Sequence, residues 1–322
     1  MENLFSLNDV DYDDNNKYLK IESTSKKQKI IIILSLSIAL LILITIIIIL
    51  AINNKSSNEK EEEETQKKEG ENDFSKVVGE IKCRYDINNK LTVKLISDEY
   101  QRKSNFDIVY NKKKIEYKNE YQFNKTGSYE ITFELYEDIS MDYMFKGIEE
   151  LTSIIMISVK KTKIKSMVSA FESCHNLEGF TINGFDLAEV KSLHKLFYET
   201  NLSLLNMKGL NTINLEDMSY MFSESSISLI TLPEIDMSNV KNVSHMFYKC
   251  HSLLEVDLSK LNTKSVVDMS SMFHGCESLI EININKLDTS NVINMSSMFQ
   301  DCISLKNIDI NNIITNKVED MS

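Results

Sequence analysis

Apolar and polar residues recur along the C-terminal part of the chain with a period of 25 or 26 residues. Phenylalanines mark this period, at Phe145, Phe171, Phe197, Phe222, Phe247, Phe273 and Phe299. When these are aligned, seven further columns stay apolar. In the unit that ends at Phe273 they are Leu253, Val256, Leu258, Leu261, Val266, Met269 and Met272. Such self-similarity is typical of a solenoid, in which each repeat buries its apolar side against its neighbours.

Each repeat predicts two elements. An apolar-x-apolar pair, such as Val256 and Leu258, has the period of two of a short strand. A later block has the spacing of a helical stripe, with apolar residues at Val292, Met295, Phe299 and Cys302. Residues 288–291, Asp-Thr-Ser-Asn, precede this block with the chemistry of a helix N-cap. We therefore predict an α/β-type, leucine-rich-repeat-like solenoid over 141–322, with one strand and one helical turn per repeat and a last repeat that is cut inside its helix.

The region before the repeats predicts a different kind of domain. Residues 77–140 contain strand-like stretches, including GEIKCRYDI, FDIVY and SYEITFELY, which are separated by polar turns. This pattern favours a small, all-β, Ig-like domain. Because the first repeat of a solenoid exposes an apolar end, we expect this domain to cap it.

An apolar segment near the N-terminus predicts a membrane anchor. Residues 30–52 carry no charge, and a helix of this length would cross a bilayer. The run is longer than the apolar part of a cleaved signal peptide, which favours an uncleaved signal-anchor. The lysines before it predict a cytosolic tail (1–29) and extracellular repeats, as in a type II single-pass protein. The composition of the charged residues 53–76 predicts a flexible stalk after the anchor.

Two repeat units carry a resemblance to a known family. The units LLEVDLSKLNTKSVVDMSSMFHGCESL and LIEININKLDTSNVINMSSMFQDCISL resemble the 26-residue repeats of BspA-like leucine-rich surface proteins. The resemblance spans Ile139–Ser322 and implies a cell-surface protein that binds other proteins or mediates adhesion, without enzymatic activity. The early repeats depart from it, because Ala170 and Leu196 replace Met and the Cys column is lost at Glu199 and Glu224.

The cysteines suggest a structural role. Four of the five cysteines share one column, three residues after the phenylalanine: Cys174, Cys250, Cys276 and Cys302. The first interpretation is a buried column of thiols that pack as small apolar groups. Since neighbouring rungs of a solenoid lie about 4.8 Å apart, disulfides within the column are an alternative. The spacing of His175 and His251 does not match that of metal ligands.

The polar positions favour binding over catalysis. The sequence has no nucleophile motif or phosphate loop, and we predict neither an enzyme nor a cofactor or metal. A net charge of −12 without a basic cluster argues against nucleic acid as a partner. The outward strand positions predict an acidic and amide-rich strip for a basic partner or a cation, or simply a solvated face: Glu255, Asp257, Glu281, Asn283, Asn307 and Asp309.

The sequence also offers possible modification sites and competing functions. Five Asn-x-Ser/Thr sequons mark possible glycosylation sites, at Asn54, Asn124, Asn201, Asn242 and Asn294. The predicted function is protein binding or adhesion through the solenoid, with a host, neighbouring-cell or matrix protein as partner. Two alternatives are a self-associating surface coat and, if the topology is inverted, an intracellular scaffold.

Overall fold

The computed structural model describes residues 76–101, 105–207, 209–231, 235–258, 261–308 and 310–322. Strands and turns make up this part of the chain, and it contains no α-helix. The predicted tail (1–29), the predicted membrane segment (30–52) and all but the last residue of the predicted stalk (53–76) lie outside the described residues.

The strands follow one another closely along the chain. In order they are β1 (Gly79–Ile87), β2 (Thr92–Val93), β3 (Phe106–Tyr110), β4 (Lys113–Ile115), β5 (Tyr121–Gln122), β6 (Gly127–Leu135), β7 (Ile139–Ser140), β8 (Leu151–Ser158), β9 (Ile164–Ser166), β10 (Gly179–Asn183), β11 (Leu204–Asn206), β12 (Leu229–Thr231), β13 (Glu255–Asp257), β14 (Glu281–Ile282) and β15 (Asn307–Ile308).

Strict alternation of apolar residues produces the first strand. Ile81, Cys83, Tyr85 and Ile87 are fully buried, whereas the residues between them are exposed or half-buried. β1 pairs antiparallel with β6, β6 with β3, and β3 with β4. The Tyr85 hydroxyl donates to the Leu95 carbonyl at 2.7 Å, so its one buried polar atom is satisfied.

A single sheet runs from these strands into the repeats. Its order is β11-β10-β8-β1-β6-β3-β4. β8 pairs antiparallel with β1, where Ile154 faces Cys83, and parallel with β10, where Ile154 faces Phe180. β1 thus covers the edge of β8 that the parallel ladder of the repeats leaves open. Residue 140, the predicted domain boundary, is the last residue of β7, which lies along the chain between β6 and β8 of this sheet and itself pairs with β9. The division into domains stays a prediction.

From β10 onward each repeat contributes one short strand that runs parallel to its neighbours. The register places Phe180 opposite Leu205, Ile230 opposite Val256, and Ile282 opposite Ile308. Parallel strands at a constant repeat offset are the arrangement of a β-solenoid.

The prediction of one helical turn per repeat is wrong, and the predicted α/β fold class is wrong as well. Around each phenylalanine, every second N–H crosses to the next repeat. The N–H of His245 donates to the Ser270 carbonyl, and that of Phe247 to the Met272 carbonyl, both at 2.9 Å. The N–H groups between them close turns inside the repeat, as Tyr248 does with the His245 carbonyl at 3.1 Å. The described repeats therefore form a β-solenoid.

A left-handed backbone explains why the apolar spacing does not produce a helix. The residues two before and two after each repeat phenylalanine have positive φ. Around Phe247 they are His245 (φ 59°) and Lys249 (φ 53°), and in the next repeat they are Ser271 (φ 53°) and Gly275 (φ 73°). An α-helix requires φ near −60° throughout, so these positions interrupt it twice in each block. Hydrogen bonds between repeats hold a conformation that non-glycine residues rarely adopt alone.

The phenylalanine column forms the centre of the core. Consecutive rings have centroids 5.4–5.8 Å apart and interplanar angles of 2–14°. All are fully buried except Phe299, which is partly buried. Offset stacking of this kind adds to the gain from burial at every step along the solenoid.

A short motif, Asp/Asn-x-Ser, ties the repeats together on one side of the turns. It begins at Asp217, Asn242, Asp268, Asn294 and Asp320. In each, the side-chain Oδ1 accepts the N–H of the serine two residues later at 2.9–3.0 Å. The same five residues are joined from repeat to repeat by parallel bridges. Each motif is therefore an Asx-turn that supplies an acceptor at the start of the turn block.

The prediction of a single-pass membrane protein needs a correction. The described residues form no helix with the length and apolar character needed to cross a bilayer. The predicted signal-anchor (30–52) lies outside these residues. The structure therefore does not support the predicted type II membrane location or the predicted extracellular placement of the repeats.

Candidate functional site on the strand face

The outward-pointing residues of β10–β15 form a surface that we call the strand face. In β13, Val256 points inward and is 4% exposed, whereas its neighbours Glu255 and Asp257 are exposed. In the next repeat Ile282 is buried, and Glu281 and Asn283 are exposed. Period-two alternation thus places four residues of the predicted strip on the solvent side.

Hydrogen bonds between successive repeats bring these residues side by side. The N–H of Leu254 donates to the Ser228 carbonyl at 2.9 Å, and that of Ile280 to the Leu254 carbonyl at 3.4 Å. These bonds lie directly before β13 and β14, so Glu255 and Glu281 fall in one column and Asp257 and Asn283 in the next. Of the other predicted strip residues, Asn307 opens β15 and Asp309 lies outside the described residues.

The strand face changes character along the solenoid. Leu204 of β11 lies opposite Gly179, and Leu229 of β12 lies opposite Glu255. Both leucines are half-buried, although they occupy the column that Glu255 and Glu281 fill later. The column is therefore apolar in the earlier repeats and acidic in the later ones. The fold does not require acid at these positions, because leucine occupies them equally well.

Comparison with protein families gives one match to these repeats. Residues 117–231 and 225–322 match a family model described as "Mycoplasma protein of unknown function, DUF285". Together the two matches cover more than half of the chain and nearly all of the solenoid.

The chain belongs to the DUF285 family. Comparison with curated proteins and with solved structures gives no significant match.

The cysteine column of the DUF285 repeats is a column of hydrogen-bond donors. Each thiol donates to the carbonyl oxygen of the phenylalanine one repeat earlier, at 2.9–3.1 Å, and the donors are Cys174, Cys250, Cys276 and Cys302. All five cysteines of the protein are free. Burial raises the pKa of Cys174 and of Cys250 to about 12, and that of the half-buried Cys302 to about 11. Neutral, buried thiols of this kind are poor nucleophiles.

The column continues through the two repeats in which the cysteine is absent. The aligned residues are Thr200 and Ser225, each three residues after its phenylalanine. The assignment of Glu199 and Glu224 to this column is therefore wrong by one residue. The Ser225 hydroxyl donates to the Phe197 carbonyl at 2.8 Å, as a cysteine thiol does, and the Thr200 hydroxyl donates to the same carbonyl at 2.9 Å. Every residue of the column is therefore a small donor to a phenylalanine carbonyl, although Thr200 bonds within its own repeat and the others bond to the repeat before.

Two of the predicted glycosylation sequons coincide with the Asx-turns. Asn242 and Asn294 are half-buried and use Oδ1 to accept the N–H of Ser244 and Ser296. Their Asn-x-Ser pattern therefore has a structural cause. Asn124 and Asn201 are exposed, and Asn54 lies outside the described residues.

The histidines lie in the turn blocks and hold no metal geometry in the described part of the chain. No group of three or more His, Cys, Asp or Glu side chains is placed there to bind an ion. His175 and His251 instead approach Glu199 and Glu277 of the following repeat, at 3.6 and 3.3 Å.

One cluster was missed by the reading of the sequence. Aromatic and imidazole rings gather on the outer side of the turn blocks, around Tyr220, His245 and Tyr248. Each of these residues occupies a repeat column that holds different polar residues in other repeats, so the pattern of apolar columns did not indicate the cluster. Aligning the turn columns alone, without the strands, would have revealed it.

Proposed function

We propose that the DUF285 solenoid is a non-enzymatic protein-binding module and that its strand face recognises a basic polypeptide segment. The observation that carries this proposal is the row of exposed acidic and amide groups on β13 and β14, at Glu255, Asp257, Glu281 and Asn283. The resemblance of the repeat units to those of BspA-like surface proteins also supports a binding role.

The shape of the strand face favours a polypeptide. Parallel strands advance by about 4.8 Å per rung, so the strand face from β11 to β15 is long in one direction and narrow in the other. An extended segment with lysine or arginine side chains fits such a surface. The net charge of −12 would also speed the approach of a basic partner.

The apolar part of the strand face fits the same partner. Leu204 and Leu229 are half-buried and lie in the column that leads to Glu255. A segment that places an apolar side chain on these leucines and basic side chains on the acidic rows would use both parts.

The test uses a fluorescently labelled oligolysine and the full chain, with anisotropy as the readout. We expect E255Q/D257N/E281Q to weaken binding about tenfold, because three exposed ion pairs contribute about 0.5 kcal/mol each. The control is E116Q/E277Q/E319Q, which changes the net charge equally at exposed positions away from the strand face.

Two results would count against the proposal. Equal weakening by both triple variants would show that only net charge attracts the peptide. A concentration-dependent oligomer that the strand-face variant abolishes would favour self-association of the solenoid instead.

A further inference from the structure

A strip of rings runs along the outer side of the turn blocks across four consecutive repeats. We call it the turn strip, and it consists of His194, Tyr198, Tyr220, His245, Tyr248 and His274. Tyr220 stacks on His245 with a centroid distance of 4.4 Å and an interplanar angle of 7°. Tyr248 stacks on His274 at 5.0 Å, and the His245 and Tyr248 rings are 5.3 Å apart. All six side chains are half-buried.

The other repeats show that the fold does not require these rings. The column of Tyr220 and His245 holds serine at Ser169, Ser271 and Ser297 with the same left-handed backbone. The column of Tyr248 and His274 holds Ser223 and Gln300 elsewhere. Packing alone therefore does not account for a run of aromatic residues in the middle repeats.

The strip is pre-organised for binding another protein. Tyrosine and histidine have few rotatable bonds, and stacking with the adjacent repeats restricts them further, so little conformational entropy is lost on binding. The stacked ring faces are occupied by each other, so the strip offers a partner its ring edges and the hydroxyls of Tyr220 and Tyr248. A surface that stacks sugars or bases would need free ring faces.

The carboxylates around the strip already have partners. The neighbouring carboxylates are engaged: Glu224 accepts the Tyr198 hydroxyl at 2.8 Å, Asp268 accepts the Ser270 N–H at 2.9 Å, and Asp301 lies 3.6 Å from Nε2 of His274.

Two kinds of polar group beside the strip are less fully used. Lys249 Nζ lies 5.1 Å from the centre of the Tyr248 ring, and none of the ion pairs seen among the described residues involves it. In the same part of the chain, Nδ1 of His245 and Nδ1 of His274 are buried without a hydrogen-bond partner. An imidazole nitrogen without a partner is a donor or an acceptor according to the tautomer, and both of these atoms are enclosed, so it is the Lys249 ammonium that calls for an acceptor from outside.

We propose that the turn strip is a second interaction surface, which binds a protein segment that presents carboxylates beside Tyr220, His245, Tyr248 and Lys249. The lysine ammonium and the tyrosine hydroxyls hydrogen-bond the carboxylates, while the ring edges cover the carbon atoms of the segment. This surface does not depend on the strand face, and the two select partners of opposite charge.

The experiment measures anisotropy of a labelled oligoglutamate with the full chain at about 0.15 M salt, where screening limits the effect of net charge to about 8 Å. The Y220S/H245S/Y248S variant introduces serine, which the fold already accepts in these columns. We expect it to weaken oligoglutamate binding at least tenfold and to leave oligolysine binding unchanged. The E255Q/D257N/E281Q variant should leave oligoglutamate binding undiminished.

A second variant guards against loss of fold. K249S places serine where Ser173 already occupies the same left-handed position, and no packed ring is removed. It should weaken oligoglutamate binding severalfold with an unchanged melting temperature. Unchanged binding in both variants would overturn the proposal. So would equally tight binding of oligothymidylate to the same residues, since the partner would then be a nucleic acid.

Discussion

Removing one ring from the phenylalanine column tests whether stacking between repeats stabilises the solenoid. Phe247 is fully buried, with Phe222 and Phe273 on either side at 5.5 and 5.4 Å. Truncating a buried phenylalanine to alanine costs about 3–5 kcal/mol through lost burial and the cavity left behind. Since two stacked contacts of about 0.5–1.5 kcal/mol each are lost as well, we expect a value near 5 kcal/mol for F247A.

The column contains its own matched control. Phe299 is partly buried, and within the described residues it stacks on Phe273 alone, at 5.6 Å. F299A should therefore cost about half as much as F247A, and F247L, which keeps most of the apolar volume, about 1–3 kcal/mol. Urea unfolding of the full chain, followed by circular dichroism, gives the three values. If F247A were no more destabilising than F299A, stacking between repeats would not be the stabilising element.

Three further predictions concern the polar columns. C276S should change the free energy of unfolding by less than about 1 kcal/mol, because Ser225 already makes the same hydrogen bond to a phenylalanine carbonyl. Urea titration measures this change, and C276V, which removes the donor, is the control. N294A should cost about 1 kcal/mol in the same titration, since it removes the acceptor for two hydrogen bonds of Ser296, whereas D268N should cost little. Burial lowers the pKa of His245; Asp268 raises it and His274 lowers it, with smaller effects. As the pH falls below about 6.5, the imidazole of residue 245 is therefore protonated more readily in the unfolded chain than in the folded one. Stability should therefore decrease from pH 7 to 5, and H245S should decrease less steeply; an equal slope in both would refute this.

The repeat register and the inward columns could be read from the sequence because a fixed period leaves little freedom. Val256, Leu258, Val266, Met269 and Met272 are all buried in the structure. Strands β1 and β3 coincide with the stretches GEIKCRYDI and FDIVY, in which apolar residues alternate. Where burial follows a simple periodicity, the pattern alone defines which side chains enter the core.

The turn blocks could not be read in the same way. The spacing of Val292, Met295 and Phe299 fits a helix, and it fits equally well a run of turns that bury the same residues. The two differ in the left-handed backbone at positions such as Lys249 and Ser297, and lysine and serine are not typical of that conformation. The conformation depends on hydrogen bonds to another repeat, such as that from Ser297 N–H to the Ser322 carbonyl, so no local pattern contains it.

The repeats are not independent of the strands that precede them, and this affects where function can be tested. β1 supplies the antiparallel partner of β8, whose other edge pairs with β10, the next strand of the parallel ladder. Without β1, the backbone groups of β8 would be left open to pair with another chain. An isolated set of repeats would then associate through that edge whatever its outer surfaces recognise. Binding by the strand face or the turn strip therefore has to be measured on a chain that retains β1, where association through the β8 edge is blocked.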